Sequence, residues 1–236
     1  MINRTKKPEI SVIMSTYNSQ ECVTKSIQSI LSQTFNDFEF LIMDDCSNDK
    51  THQILKEFEL NDKRIKVFKN DVNLGLTKSL NKLLRNSNGK YIARQDDDDI
   101  SFKNRFYLQH KLLENSKYSV CTSRAKIIQN NKLRPKISHI FPQKFIIKYK
   151  NPFIHGTLMI ERRLFYEIGY YNENFYLAQD YRLFFDLISK GYKVKQIKKP
   201  LYGLNISNNL SSNLKNEQKV FANYARRGIN PISKNL

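Results

Sequence analysis

Asp96, Asp97, Asp98 and Asp99 stand in one unbroken run directly after the stretch Lys90-Tyr-Ile-Ala-Arg94. Four ionised carboxylates side by side need a counter-charge, because two unit charges about 4 Å apart repel by about 4 kcal/mol at an effective dielectric near 20. A hard divalent cation would supply it. In an extended segment Asp96 and Asp98 project to the same side, so this Asp-x-Asp suits one Mg²⁺ or Mn²⁺ bound through oxygen, with positions left for a diphosphate. The competing explanation is an acidic turn that merely faces water. Zinc is disfavoured because His and Cys do not cluster. Cys22, Cys46 and Cys121 are far apart, form no Cys-x-x-Cys pair, and read as buried thiols.

Two further polar groups follow β-branched runs. Ser15, Thr16, Tyr17 and Asn18 come after Ile10–Met14, and Asp44 and Asp45 close Phe38–Met43. A carboxylate there can accept hydrogen bonds from a nucleobase imide or a ribose hydroxyl, and an aromatic ring can pack on a base. No Gly-x-Gly-x-x-Gly follows the first run, and Gly75-Leu-Thr-Lys-Ser79 falls short of a phosphate-binding P-loop. Dinucleotide redox chemistry and P-loop phosphoryl transfer are therefore disfavoured.

The elements that would position these groups alternate along residues 1–100. Strands are expected at Ile10–Met14, Phe38–Met43, Ile65–Phe68 (edge-like) and Tyr91–Arg94. Helices are expected at Cys22–Leu31, after Ser47 or Asn48 as N-cap, and at Leu76–Leu84. This βαβαβαβ order implies a mostly parallel sheet with helices on both faces, whose ligands lie beyond the carboxyl ends of the strands. Every polar group named above would then meet on one rim. Beyond residue 100 helices are expected at Phe102–Glu114, Arg162–Ile168 and Gln179–Lys190, with strands at Tyr118–Ser123, Thr157–Ile160 and Lys193–Ile197 and an amphipathic basic tail over Ser212–Arg227.

The 236 residues, 40% apolar and 12% aromatic, can bury a core. No run approaches the roughly 18 apolar residues of a membrane helix, and Met1–Lys7 lacks the apolar run of a signal peptide, so a cytoplasmic location is expected. The net charge of +18 is unevenly spread. Residues 1–100 carry 15 basic and 15 acidic side chains, whereas residues 101–236 carry 25 and 7. The second part would attract an anion: a phosphate-bearing substrate, nucleic acid or an acidic membrane face. A solvated basic surface explains the same excess.

Several ordered stretches together resemble the family 2 inverting glycosyltransferases of the GT-A fold: Ile10-Ser-Val-Ile-Met-Ser-Thr-Tyr-Asn18, Ser29-Ile-Leu-Ser-Gln-Thr-Phe35, Phe38-Glu-Phe-Leu-Ile-Met-Asp-Asp-Cys-Ser-Asn48, Asn73-Leu-Gly-Leu76 and Gly89-Lys-Tyr-Ile-Ala-Arg-Gln-Asp-Asp-Asp-Asp-Ile100. Weaker matches run through Pro152–Met159 and Gln179–Leu183 to about residue 211. The resemblance implies a Rossmann-like α/β domain with a nucleotide-sugar-binding half (1–100), an acceptor and catalytic half (101–211) and a basic tail (212–236). It implies that Ser15, Tyr17 and Asp45 hold the base of a nucleotide-sugar donor, that Asp96 lies near the ribose, and that Asp98, with Asp96 beside it, meets a Mn²⁺ or Mg²⁺ on the diphosphate. Asn73, Lys78, Arg94 and His155 would neighbour the donor. Asp180 matches the catalytic base, which would take the acceptor hydroxyl's proton as that oxygen displaces the nucleoside diphosphate with inversion. A carboxylate favoured at a helix start would also explain Asp180.

The chain departs from the family pattern at Gln179, where Glu is common, at Leu80, where Arg is frequent, and at Gly203 and Asn205, where Arg and His are often found. Lys199, Arg182 and Lys215 are candidates to neutralise the diphosphate in their place. The reaction expected is metal-dependent transfer from a nucleotide sugar, a UDP-sugar in the first instance, to a surface-glycan or lipid-linked acceptor, with peripheral attachment at the inner membrane face. A basic nucleic-acid-binding protein or metal-dependent nuclease is the alternative of another class, though no nucleic-acid partner is expected. A third reading is a glycan-binding relative without activity.

Overall fold

The computed structural model describes residues 7–135, 141–207 and 214–231. In chain order the elements are β1 (Ile10–Thr16), α1 (Val23–Leu31), β2 (Phe38–Asp44), α2 (Thr51–Asn61), β3 (Ile65–Lys69), α3 (Leu76–Asn86), β4 (Tyr91–Arg94), β5 (Ile100–Ser101), α4 (Arg105–Glu114), β6 (Val120–Ile127), β7 (Leu133–Arg134), α5 (Gln143–Ile146), β8 (Met159–Glu161), α6 (Arg162–Ile168), α7 (Gln179–Ser189), β9 (Val194–Leu204) and α8 (Lys215–Arg227). One nine-stranded sheet runs in the order β3-β2-β1-β4-β8-β6-β9-β5, with β7 beside β6. Strands β3, β2, β1 and β4 are mutually parallel, β8 is antiparallel to both its neighbours, and β6 and β9 are parallel to each other. The sheet thus continues unbroken across residue 100.

Burial on both faces follows from the two-residue period of a strand. Ile10, Val12 and Met14 of β1 pack with Val23, Ile27 and Ile30 of α1, Leu55 of α2 and Phe106 of α4. Ile13, between them in sequence, faces the other way and joins Leu80, Leu83 and Leu84 of α3 and the apolar side of α7. Leu80 is fully buried there, which accounts for an apolar residue at that position. α8 covers α7, its Phe221 meeting Phe175 and Tyr176 edge-on at 6.1 and 4.5 Å between centroids.

Four expectations change. Neither Ser47 nor Asn48 caps α2; the Ser47 side chain accepts the Asn18 N–H and Asp49 accepts the Thr51 N–H instead. Of the cysteines only Cys121 is fully buried. β6 and β9 run farther than expected because they pair along their whole length, through an irregularity between Ser123 and Ala125 that leaves Lys198, Lys199 and Leu201 out of register. Finally, Asp96–Asp99 is a turn rather than an extended segment, closed by the Asp99 N–H on the Asp96 carbonyl at 3.4 Å. Ser212 and Asn213 of the expected tail, and residues 208–211 of the second half, lie outside the described residues.

Candidate active site

The acidic turn is held from beneath by buried amide and guanidinium groups. Gln95, fully buried, donates through Nε2 to the carbonyls of Asp96 (2.9 Å) and Asp99 (3.0 Å). Arg105, also fully buried, donates to the Arg94 carbonyl at 2.6 Å, to Ser101 Oγ at 2.7 Å and to Gln109 Oε1 at 3.0 Å. Burial pulls the Arg105 guanidinium down to about 10. The turn is therefore positioned by hydrogen bonds to its backbone, which leaves its carboxylates to do other work.

Each carboxylate has a different fate. Asp96 accepts from Arg94 at 2.6 Å. Asp97 accepts from the hydroxyl of Ser19, and Asp99 from the Asn205 N–H at 2.6 Å. Asp98 accepts only its own amide N–H among the described residues. Burial, then the charges of Asp96 and Asp97, push Asp98 up to about 7. Burial likewise raises Asp97, and raises Asp99 with help from Asp96 and Asp98. Asp98 is thus the uncompensated member of an overcharged turn, which fits an oxygen-bound divalent cation. Three aspartate carboxylates do not converge on one point. The described residues bring three potential ligands together instead at Glu9, His110 and Glu114, beside the opposite ends of β1 and β4, where Lys90 (2.5 Å) and Tyr91 (2.7 Å) already engage Glu114.

The second half of the chain closes over the turn. A 3₁₀ turn, His155–Thr157, leads into β8, and a Cβ on Gly156 would lie 2.4 Å from Tyr202 Oη and 2.6 Å from Asp96 Oδ2, so any larger residue must push one of these side chains aside. Tyr202 Oη accepts the Asp96 N–H at 3.1 Å. His155 Nε2 meets Tyr171 Oη at 2.7 Å. Burial, then the neighbouring Arg94 charge, depress His155 to about 3, so it is neutral at pH 7.

Asp180 enters at the first turn of α7, where the helix dipole favours a carboxylate. The chain reaches it through Ala178, whose left-handed φ of 55° is an uncommon and costly conformation for a residue with a Cβ. α3 underpins that approach: Thr77 Oγ1 donates to the Phe175 carbonyl at 2.6 Å, and the Asn81 side chain bonds both the N–H (3.0 Å) and the C=O (2.9 Å) of Tyr171. Asn151 Nδ2 donates to Asp180 Oδ2 at 2.8 Å. Burial raises Asp180 above the usual carboxylate range, and the charge of Asp96 raises it further. Asp180, Asp96, Arg94 and His155 therefore share one electrostatic neighbourhood.

On the other side of the rim, Asp45 is buried and accepts from Asn70 Nδ2 (2.7 Å), Leu74 N (2.9 Å) and Gly75 N (2.8 Å). It fixes the loop that opens α3, where Asn73 is exposed. Ser15 is buried at the end of β1, Tyr17 is 45% exposed beyond it, and Lys78 is exposed on α3. Of the candidates for diphosphate neutralisation, Arg182 is ion-paired with Asp186 at 2.8 Å and lines a separate cavity of about 690 Å³ with Asn81, Arg85 and Tyr170. Lys199 and Lys215 are exposed. Gly203 pairs with Ile100 and faces Ile128 and Phe102 at 3.3–3.4 Å, which leaves little room for an arginine.

Gln95, Arg105, Asn151, Gly156, Tyr171 and Tyr202 were not legible in the sequence as parts of this site. A buried guanidinium carries no local signature, and Asn151 and Tyr202 join the site through contacts distant in sequence.

A sheet whose parallel strands β3, β2, β1 and β4 are continued by the antiparallel β8 and then by β6 and β9, with helices packed around it, is the GT-A glycosyltransferase fold. Residues 11–170 match the family Glycosyl transferase family 2, and the chain belongs to it. It is 34% identical to the uncharacterized glycosyltransferase MJ1057 of Methanocaldococcus jannaschii, over 95% of this chain and 80% of that one. It is 30% identical to the putative teichuronic acid biosynthesis glycosyltransferase TuaG of Bacillus subtilis, over 88% and 83%. In fold it is similar to S. aureus TarS 1-349 in complex with UDP, with a TM-score of 0.73 and 23% identity over 84% of this chain and 61% of that one. It is similar also to the mannosyltransferase PcManGT of Pyrobaculum calidifontis in complex with GDP-Man and Mn²⁺, with a TM-score of 0.74 and 17% identity over 96% and 67%.

Proposed function

We propose that the protein transfers a sugar from a nucleotide-sugar donor, a UDP-sugar foremost, to a hydroxyl of a surface-glycan or lipid-linked acceptor, with a divalent cation and with inversion. The observation that supports this reading is Asp180 in the first turn of α7, held by Asn151 at 2.8 Å and raised by burial and by the charge of Asp96. Support for the donor class comes from the UDP and GDP-Man complexes of the structural neighbours, and for the acceptor class from the teichuronic acid assignment of TuaG.

Asp98, with Asp96 beside it, would hold Mn²⁺ or Mg²⁺, which when bound supplies charge stabilisation for the departing phosphate. Ser15, Tyr17, Asp45 and Asn73 form the nucleoside end of the rim; Arg94 orients Asp96; Lys78 and the neutral His155 flank the diphosphate and sugar. Asp180, oriented by Asn151, accepts the acceptor hydroxyl's proton as that oxygen attacks the anomeric carbon. A raised proton affinity suits a base that must take a proton in the transition state and return it to water afterwards. On this reading residues 1–100 form the donor half and 101–211 the acceptor and catalytic half, from which His155 reaches back to the donor.

A thermal-shift screen of UDP-, GDP-, dTDP- and CMP-sugars with Mn²⁺ or Mg²⁺, followed by turnover with the best binder, tests the reading. Asp180→Asn is expected to bind that donor and fail to turn over, and Asp98→Ala to lose metal-dependent binding. A product that keeps the donor's anomeric configuration by NMR would exclude the single displacement.

A further inference from the structure

Residues 141–150 carry an exposed aromatic and basic surface. Phe141, Phe145 and Tyr149 are 47%, 54% and 61% exposed, and the rings of Phe145 and Tyr149 lie 5.0 Å apart between centroids, tilted by 47°. Lys144, Lys148 and Lys150 stand among them, exposed and without a carboxylate partner among the described residues. The opposite side is firmly seated. Ile146 and Ile147 are buried, Tyr181 Oη donates to the Ile147 carbonyl at 2.7 Å, and the Gln143 side chain pairs with the backbone of Val194, accepting its N–H at 2.9 Å. The segment is thus anchored on that side by burial and by hydrogen bonds to α7 and β9.

We propose that this projection docks the enzyme on an anionic lipid surface, its three rings entering the headgroup layer and its three ammonium groups meeting lipid phosphates. Exposed aromatics interleaved with lysines suit the membrane interface, where rings sit at headgroup depth and lysine stems reach outward. Charge complementarity extends beyond the projection: residues 115–160 contain nine Lys and Arg and no Asp or Glu. Single-stranded nucleic acid is the weaker fit. Its binders offer rings in a groove for bases to stack on, whereas Phe145 and Tyr149 are set against one another at 47° and not as parallel platforms. The next residue after the projection, Asn151, holds Asp180 at 2.8 Å, so docking would set the base close to the bilayer surface.

The inference deepens the membrane-borne acceptor of the preceding reading, and its test is independent of it, because vesicle binding is read without donor, metal or acceptor. The chain has no tryptophan, so Phe145→Trp supplies a single reporter. Its emission is expected to shift to the blue, and to be quenched by brominated lipid, with vesicles of phosphatidylglycerol and phosphatidylcholine but not of phosphatidylcholine alone. Combined Lys144→Gln, Lys148→Gln and Lys150→Gln in that background should weaken partitioning roughly 100-fold, at about fivefold per lysine, with unchanged thermal unfolding. Emission that ignores anionic vesicles, or that responds equally to neutral ones or to an oligonucleotide instead, overturns the proposal.

Discussion

Replacing Asp98 by Asn should stabilise the metal-free protein at pH 8. Asp98 is raised from 3.8 to about 7 by burial and by its acidic neighbours. Between these values the native state binds more protons at this group than the unfolded chain does, so stability falls as pH rises through the window. Three pK units correspond to about 4 kcal/mol, and because the side chain is only partly buried, solvent screening brings the expected gain to about 2 kcal/mol. Urea unfolding in EDTA at pH 8, 6 and 4 would read this directly. The variant's advantage should be largest at pH 8 and close toward pH 4, where the wild-type carboxyl is protonated in the native state. Mn²⁺ should stabilise the wild type at pH 8 and the variant much less, since only the former gains by neutralising the charge. A variant no more stable than wild type at pH 8 in EDTA, or equal stabilisation of both by Mn²⁺, would refute the account of the turn as an overcharged cation site.

Asp180→Asn should lower turnover by about 10²- to 10⁴-fold with donor affinity retained; parallel loss of both would point to a structural role. In the wild type, activity should rise with pH along an acid limb displaced above the ordinary Asp range, since only the ionised base accepts a proton. Arg105→Met should cost about 3 kcal/mol in urea unfolding by stranding the Arg94 carbonyl, Ser101 and Gln109; a change under about 1 kcal/mol would contradict the role given to the buried guanidinium. Gly156→Ala should push Asp96 or Tyr202 aside and cut turnover by about 100-fold while the fold persists, which circular dichroism and steady-state rates would separate.

The first hundred residues were legible because each element there solves its own burial problem. Ile10, Val12 and Met14 announce one face of a strand, and Tyr91–Arg94 lies where the alternation requires the fourth strand. Asp180 was named from motif order, and it opens α7 within reach of the charge of Asp96. The acidic run was misjudged in geometry. Alternation along an extended chain would have aligned Asp96 with Asp98, but Gln95 gathers the carbonyls of Asp96 and Asp99 and turns the chain. That bond, like the contact of Gly156 with Asp96, joins groups whose meeting depends on the finished fold. The exposed projection at 141–150 went unread for the opposite reason: its pattern is neither helical over a useful length nor alternating.

Asp45 commits three hydrogen-bond directions inward, to Asn70, Leu74 and Gly75. On the proposed reading, a base arriving there would meet a carboxylate with one vacant lone pair on Oδ2. A ring N–H, as in uracil, thymine or guanine, matches that vacancy. The bare ring nitrogen of cytosine or adenine would set lone pair against lone pair. Discrimination among nucleotides would then arise at an oxygen whose orientation was fixed before any ligand arrived, and Asn70→Ala, by freeing a second direction, should make the choice of base more permissive.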